Sequence, residues 1–300
     1  MVPLKNRCGL IEATLQSIVA QTVPQWEAVV VDDGSTDGSD RVVQAMSDGD
    51  SRIRLERREG DIGGAPACRN QGVQAARGEF ILFLDSDDLL GPHCLEHRMA
   101  VLEANRGLDF AVFGAKVFVN AMGDTDITSY DLFSPGDDLD RFLTSDFPWN
   151  TPGPLWRRSA VKRVGPWDVR LRAWQDWDYH TRAIALGLKY EKFDQCDVWI
   201  CRGDQERIGS RVTPERCVSI AQMVGRTADM LRDADLLTPV RTRLLAGLVL
   251  NNLLHCLCCG GAPADLRAIW EAARQHELMS CFAGFELSAL LPVLGRIGGR

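Results

Sequence analysis

The sequence predicts an α/β fold with a mostly parallel, doubly wound sheet and a helical C-terminal extension. Helix-like and strand-like segments alternate through residues 1–120, which is typical of parallel strands joined by crossover helices. Two apolar runs, 26–31 and 80–84, stop directly at Asp-rich loops, as buried strands do where they leave a core. From about residue 214 the pattern is helical to the end.

Composition narrows the class of protein. A chain of 300 residues that is 45% hydrophobic can bury a substantial core. Its net charge of -7 argues against a general nucleic-acid binder, which usually carries a basic face. The 10 cysteines are too dilute for a disulfide scaffold, so we expect reduced thiols and a cytoplasmic location. We expect no signal peptide and no transmembrane helix, because no apolar stretch of about 20 residues occurs.

Each element of the first half has its own signal. Ile11, Leu15, Ile18 and Val19 repeat at helical spacing, and Trp26 to Val31 ends in an Asp/Gly/Ser loop. The other elements expected before residue 120 are helices over 41–46, 67–76 and 92–105 and strands over 53–56, 80–84 and 110–119.

The second half is less regular. Residues 124–154 read as loop, and helices are expected over 159–164 and 176–186. The His255–Cys259 cluster favours a structural helix over a soft-metal site, because it lacks Cys-x-x-Cys spacing. The apolar segment 279–294 packs internally or forms a partner or membrane-surface helix, and its low positive charge favours packing.

Two acidic clusters follow two predicted strands. Asp32-Asp33 follows the first, and Asp85-Ser86-Asp87-Asp88 follows the second. Ligands of open α/β sheets bind beyond the carboxyl ends of strands, so the clusters could face one crevice. Close carboxylates repel and suit a hard divalent cation, although such runs also form plain capped turns. No Gly-rich phosphate loop is present, so a carboxylate-held cation is the expected counter-charge for phosphates.

Five motifs, in order, resemble those of family 2 glycosyltransferases with the GT-A fold. The resemblance covers roughly residues 3–210 and rests on segments 10–24, 26–37, 67–72, 85–88 and 174–178. It implies a glycosyltransferase domain over 1–213, with a nucleotide-sugar half (1–120) and an acceptor half (121–213). Residues 214–300 would then form the helical C-terminal region.

The resemblance also implies a reaction. It is inverting transfer from a nucleoside diphosphate sugar to a hydroxyl of a saccharide or lipid-linked acceptor, in polysaccharide or glycolipid synthesis, with Mn²⁺ or Mg²⁺. Asp176 would be the general base, Asp87 the direct metal ligand, and Asp85 would face ribose and metal. The donor-binding residues implied are Pro3, Lys5, Asp32, Asp33, Arg69 and Asp85, and the acceptor-binding residues are Trp174, Gln175 and Trp177.

Several of these residues could instead have only a structural role. Asp176 could be a helix cap, the tryptophans beside it could be core, and Arg69 could only fix a loop. Two rival functions remain beside the transferase. One is a degenerate nucleotide-sugar or glycan-binding protein. The other is a nucleotidyltransferase, which the missing Gly-rich phosphate loop disfavours.

The N-terminus departs from the family pattern. Only Met1-Val2 precede Pro3, where relatives have a full central strand, and Lys5 stands where an aromatic residue often stacks on the base. We therefore expect a truncated first strand, from either a start site set too far downstream or a truncated product, and a partly unpaired strand at Val29–Val31.

Overall fold

The protein was analysed as a computed structural model that describes residues 1–203 and 212–278. The backbone divides into two compact units. Unit 1 comprises 1–134, 148–169 and 187–205, and unit 2 comprises 135–147, 170–186 and 206–300. Two segments that precede residue 213 thus group with the C-terminal helices. The functional boundary at 213 stays a prediction.

Helices and strands alternate as the residue pattern indicates. In chain order they are β1 (Val2–Leu4), α1 (Ile11–Val19), β2 (Ala28–Asp32), α2 (Ser39–Gly49), β3 (Ile53–Arg57), α3 (Ala65–Ala75), β4 (Phe80–Leu82), β5 (Leu89–Leu90), α4 (Cys94–Ala104), β6 (Phe110–Phe118), α5 (Asp138–Leu143), β7 (Pro154–Arg157), α6 (Arg158–Val164), α7 (Gln175–Ala185), β8 (Tyr190–Cys201), α8 (Pro214–Asp233), α9 (Pro239–Cys258) and α10 (Pro263–Gln275). Of the elements in residues 1–203 and 212–278, unit 1 holds the eight strands with α1–α4 and α6, and unit 2 holds α5 and α7–α10.

The first sheet is parallel, with β2 between β1 and β3. All five residues of β2 are buried, as its unbroken apolar run predicts. The first strand is short, at three residues. The expectation of a partly unpaired strand at Val29–Val31 is wrong for Val30 and Val31, which pair with Val2 and Pro3, whereas Val29 pairs only with β3.

Met1 joins the two sheets of unit 1. Its amino group donates to the Leu82 carbonyl at 2.9 Å, and the Leu84 N–H donates to the Met1 carbonyl at 3.0 Å. The side chain of Met1 lies against Gly72 of α3, where an added Cβ would come within 2.4 Å of Met1 Cγ. These contacts place β1 beside the end of β4.

The second sheet is mixed, in the order β4-β7-β6-β8-β5. β6 and β8 are parallel, whereas β7 is antiparallel to β4 and β6. Residue pattern missed β8, because its first half is only half-buried and carries Glu191, Lys192 and Asp194 among apolar residues. The α/β class is confirmed.

A buried ion pair ties α4 to β8. The Arg98 Nε lies 2.9 Å from Asp197 Oδ1, and the Arg98 Nη1 donates to the carbonyls of Pro152 at 2.7 Å and Gly153 at 3.0 Å. Arg98 is fully buried. A guanidinium removed from water needs such partners, so this pair holds one helix on the second sheet.

Unit 2 is helical, as predicted for the C-terminal region. Thr213 and Thr238 cap α8 and α9, and each is followed by a proline at the first helical position. Cys256 is fully buried within α9, and burial raises the pKa of its thiol to about 11, so the cysteine cluster lies in the predicted structural helix.

No helix in the described parts of the chain combines the length and the apolar character needed to cross a membrane. The predicted apolar segment 279–294 lies outside the described residues.

Candidate active site

The loop after β2 is shaped by Asp32. Asp32 Oδ2 accepts a hydrogen bond from the Gly34 N–H at 3.1 Å. The Ser35 N–H donates to both carboxylate oxygens of Asp32, and its nitrogen lies 3.1 Å from each of them. Gly34 has φ +75°, which glycine adopts without strain. Asp32 is only 6% exposed. The structure shows it closing the turn, and its contact with a donor stays a prediction.

Asp33 faces a different neighbour. Its carboxylate forms a short ion pair with Arg58, just beyond β3, and accepts from the Gly64 N–H at 2.9 Å. A Cβ at Gly63 would come within 3.0 Å of Asp33 Oδ1, so a larger residue there would require the carboxylate to shift by a few tenths of an ångström. Residue pattern missed Arg58. Its signal is its position at the end of a strand that pairs with β2.

The segment 5–8 lies against this loop. Lys5 Nζ donates to the backbone carbonyls of Asp33 at 2.6 Å and Gly34 at 2.7 Å. Three further bonds run from Asn6 N to Ser35 Oγ, from Arg7 N to Ser39 Oγ and from Cys8 N to Asp37 Oδ2, at 3.0, 2.7 and 3.0 Å. The ammonium of Lys5 therefore helps to hold the loop. Pro3 is buried in β1 opposite Val31.

Asp37 is a second anchor of the segment. Desolvation opposes its ionisation, but hydrogen bonds from the Ser39 hydroxyl and from the backbone of Cys8 and Ser39 outweigh that effect and lower the pKa of Asp37. The carboxylate thus ties residue 8 to the start of α2.

The loop after β4 is held by arginines. Arg69 Nη2 lies 2.7 Å from Asp85 Oδ1, and Arg7 Nε lies 3.6 Å from Asp87 Oδ2. Arg69 is nearly buried and stacks 4.4 Å above the ring of Trp167. Arg69 therefore both fixes its surroundings and faces a predicted donor carboxylate. Arg7 was missed, although it directly follows the predicted donor-side segment.

Asp88 has a structural role within the same cluster. It is buried, and its Oδ1 accepts from the Cys201 N–H at 3.0 Å. This bond ties the acidic loop to the end of β8. Only Asp85 and Asp87 keep appreciable exposure, with 39% and 21% of their side chains accessible.

Asp85 and Asp87 together suit a hard divalent cation. Two partly exposed carboxylates one residue apart offer oxygen donors of the kind that Mg²⁺ and Mn²⁺ prefer. Each is already balanced by an arginine, which is the expected arrangement for a carboxylate pair that would otherwise repel itself. The donor set fits the predicted metal, whose binding stays a prediction.

The predicted acceptor motif lies in unit 2. Trp174 precedes α7 with φ 56° and ψ 32°, a left-handed conformation that is rare and strained for a bulky residue. Asp176 stands in the first turn of α7, and its Oδ1 accepts from the Trp177 N–H at 3.0 Å. Backbone strain of this kind often occurs at functional sites, so it marks the entry to α7 as a candidate.

The neighbours of Asp176 have packing roles. Trp177 is fully buried, and its indole N–H donates to the Phe142 carbonyl at 2.6 Å. Gln175 Nε2 donates to the Leu171 carbonyl at 3.2 Å. Arg182 pairs with Asp178 at 2.9 Å, one helical turn away. Acceptor contacts of Trp174, Gln175 and Trp177 stay predictions, and burial shows Trp177 as core.

Curated proteins similar to this chain are glycosyltransferases and polysaccharide-synthesis proteins. The putative glycosyltransferase EpsH of Bacillus subtilis is 30% identical over 167 residues, which cover 54% of this chain and 47% of EpsH. The succinoglycan biosynthesis protein ExoU of Rhizobium meliloti is 29% identical over 208 residues, which cover 65% of this chain and 59% of ExoU. The chain spans from 32% to 59% of the length of the first such relatives.

Solved structures show the same fold at low sequence identity. Residues 1–349 of S. aureus TarS, in complex with UDP-GlcNAc, match with a TM-score of 0.70 and 20% identity, covering 92% of this chain and 79% of that one. The mannosyltransferase PcManGT of Pyrobaculum calidifontis, in complex with GDP-Man and Mn²⁺, matches with a TM-score of 0.57 and 20% identity. The match covers 99% of this chain and 78% of PcManGT. The predicted GT-A fold is thereby confirmed. The family model of glycosyl transferase family 2 matches residues 1–164, more than half of the chain, and the protein belongs to that family.

Proposed function

We propose that the protein is an inverting glycosyltransferase that moves a sugar from a nucleoside diphosphate sugar to a hydroxyl acceptor in polysaccharide or glycolipid synthesis. One observation carries the proposal. The segment 5–8 contacts both acidic loops, because Lys5 Nζ donates to the Asp33 carbonyl at 2.6 Å and Arg7 Nε lies 3.6 Å from Asp87 Oδ2. The carboxyl ends of β2 and β4 therefore meet around one segment, as a donor site at a sheet edge requires.

The residues on the donor side have different proposed roles. Asp32 holds the turn, so Asp33 is the carboxylate of that loop left to face the donor base, with Arg58 setting its position. Lys5, Arg7 and Arg69 bring positive charge to the same loops. Cations placed there would stabilise the diphosphate as negative charge develops on it.

A divalent ion would be held by Asp87 and Asp85. Bound there, it would neutralise charge on the departing diphosphate. Asp85 would remain oriented by Arg69, at 2.7 Å. No histidine is required for this donor set, since carboxylates, phosphates and water suffice for Mg²⁺ or Mn²⁺.

Asp176 is the proposed general base. It would take the proton of the acceptor hydroxyl as that oxygen bonds to the anomeric carbon and the bond from that carbon to the diphosphate breaks. A positioned base contributes typically about 10²–10⁴-fold to such a step. The strained Trp174 supports this role, because its left-handed backbone sets the direction in which α7 begins.

The acceptor class is proposed from the relatives. Proteins named for succinoglycan and teichuronic acid biosynthesis are 29% and 40% identical over 208 and 88 residues, respectively. Those names describe those proteins, and they favour a saccharide or lipid-linked acceptor here. A cytoplasmic location, where nucleotide sugars are made available to such enzymes, belongs to the same proposal.

The first experiment identifies the donor. UDP-, GDP- and dTDP-sugars are screened with Mn²⁺ for a rise in melting temperature, because a ligand that binds the native state stabilises it by mass action. The best donor is then assayed for release of nucleoside diphosphate with polysaccharide and lipid-linked acceptors. Release of pyrophosphate would instead indicate a nucleotidyltransferase, and binding without any turnover would indicate the degenerate binding protein.

The second experiment tests the base. Asp176→Asn is expected to lower transfer by about 10²–10⁴-fold while the melting temperature shift caused by the donor persists. Asp233→Asn, at an exposed carboxylate that ends α8 in the same unit, is the matched control. Full transfer activity in Asp176→Asn would overturn the assignment of the base.

A further inference from the structure

Three metal-ligating side chains share the start of α4, outside the proposed donor site. His93 precedes the helix, and Glu96 and His97 follow three and four residues later. One ligand atom of each, a ring nitrogen or a carboxylate oxygen, lies within 4.8 Å of the others. All three are exposed, and no other such group occurs in residues 1–203 and 212–278. We call this group the His–Glu–His triad.

The local geometry is close to that of a metal site. His93 Nδ1 lies 3.0 Å from Glu96 Oε2. In a tetrahedral zinc site with metal–ligand bonds of about 2.0–2.1 Å, two ligand atoms lie about 3.3 Å apart, which is close to this distance. The two imidazoles are nearly parallel, at 24°, with centroids 5.5 Å apart. Residues i, i+3 and i+4 lie on one face of a helix, so small side-chain rotations bring all three ligands to one ion.

Neighbouring polar groups orient two of the three ligands. The Thr22 hydroxyl donates to Glu96 Oε2 at 2.8 Å, and the Gln195 amide lies 2.6 Å from His97 Nδ1. Gln195 is itself 3.3 Å from Asp197, which pairs with buried Arg98. Such outer partners fix the orientation of metal-binding carboxylates and imidazoles, and a ring nitrogen engaged in this way leaves the other for a metal.

We propose that the His–Glu–His triad binds one divalent ion of the zinc class, with water completing its coordination. Two imidazoles and one carboxylate are a ligand set of zinc, and imidazole discriminates against Mg²⁺. The site differs in chemistry from Asp85 and Asp87, which offer only oxygen. Glu96 offsets the unfavourable position of a cation at a helix N-terminus.

The binding test uses the intact chain without nucleotide. Titration calorimetry with ZnCl₂ should give one site in the wild type, and His93→Gln/His97→Gln should weaken it by more than about tenfold. His255→Gln, at an exposed histidine of α9, is the matched control and should bind like the wild type. Equal affinity in the double variant would overturn the proposal. Melting curves without metal check that the double variant folds.

Spectroscopy separates this site from the other possible metal ligands. Co²⁺ bound at the triad should show d–d absorption without a thiolate-to-cobalt charge-transfer band, and Asp87→Asn should leave that spectrum unchanged. A thiolate band would assign the ion to cysteine, and loss of the spectrum in Asp87→Asn would assign it to the acidic loop. Either result overturns the proposal.

Discussion

The two acidic loops of unit 1 use similar residues differently. After β2, Asp32 and Asp37 accept hydrogen bonds from backbone N–H groups within 29 positions along the chain. After β4, Asp85 and Asp87 face arginine side chains, at 2.7 and 3.6 Å. Asp32 and Asp37 therefore shape the backbone of the first loop, whereas Asp85 and Asp87 of the second loop face guanidinium groups.

This difference distinguishes carboxylates that hold the backbone in place from carboxylates that could bind a ligand. A carboxylate that accepts backbone N–H groups cannot exchange them for another ligand without unfolding the turn. A carboxylate such as Asp87, which is partly exposed and faces a partly exposed arginine, can exchange or share that partner at little cost, because ion pairs open to solvent are weak. The loop after β4 is therefore the better candidate for binding an incoming cation, and four substitutions test the contrast.

Asp87→Asn should have the largest effect on activity. Under the proposed function, loss of this charge beside the diphosphate should lower transfer by at least about 10²-fold. The free energy of unfolding should change by less than about 1 kcal/mol, because the ion pair with Arg7 is partly exposed. Steady-state assays and urea titrations measure the two effects. Asp126→Asn, at an exposed position of unit 1, is the control. A large loss of stability in Asp87→Asn would erase the contrast.

Asp32→Ala should have the largest effect on stability. The N–H groups of Gly34 and Ser35 lose their acceptor, which should cost about 1–3 kcal/mol of unfolding free energy. Asp32→Asn keeps one acceptor oxygen, so it should cost less. Urea unfolding of both variants gives the comparison. If alanine and asparagine cost the same, the hydrogen bonds to the turn are not the cause.

Arg7→Gln should tighten metal binding. Removal of the guanidinium takes away one positive charge near Asp87, so the affinity for Mn²⁺ should rise by roughly 2–5-fold. Electron paramagnetic resonance of free Mn²⁺ measures this directly in nucleotide-free protein. Arg41→Gln, at an exposed position of α2, is the control. Unchanged affinity in Arg7→Gln would mean that Arg7 does not balance the metal carboxylates.

Asp37 should give the smallest effect on stability, and that effect should disappear in acid. Its pKa is lowered in the folded protein because hydrogen bonds from Ser39 and Cys8 outweigh desolvation. Its contribution to stability is therefore fully present above its ordinary pKa of 3.8 and is lost as pH falls through the lower folded value. The stability gap between wild type and Asp37→Asn should be equal at pH 7 and 5 and shrink below 3.8, by thermal melts. A gap that is constant into acid would contradict this.

The carboxylates of the candidate site could be located from the sequence because their signals are local. An apolar run followed by carboxylates marks Asp33, Asp85 and Asp87 without knowledge of any partner. The ionic partners Arg7 and Arg58 carried no such signal. Each becomes relevant only when strand pairing brings it to an acidic loop, as β3 does for Arg58 beside β2.

Aromatic residues of the predicted acceptor motif show the same limit. Trp174 and Trp177 look alike in sequence, three positions apart. The structure leaves Trp174 half-buried with a strained backbone and buries Trp177 against the Phe142 carbonyl. Which face of a helix packs inward depends on the neighbouring elements, here α5, and not on the motif itself.

The sequence by itself determined the α/β class, the order of motifs and the positions of the carboxylates, because periodicity and turn chemistry act between near neighbours. Tertiary structure decided what each carboxylate does. Asp85 meets Arg69 across 16 positions and Asp88 meets Cys201 across 113, so only the folded sheets could make the first a partly buried ion pair and the second a buried anchor. Short-range pattern places a charge, and long-range packing sets its partner and its exposure.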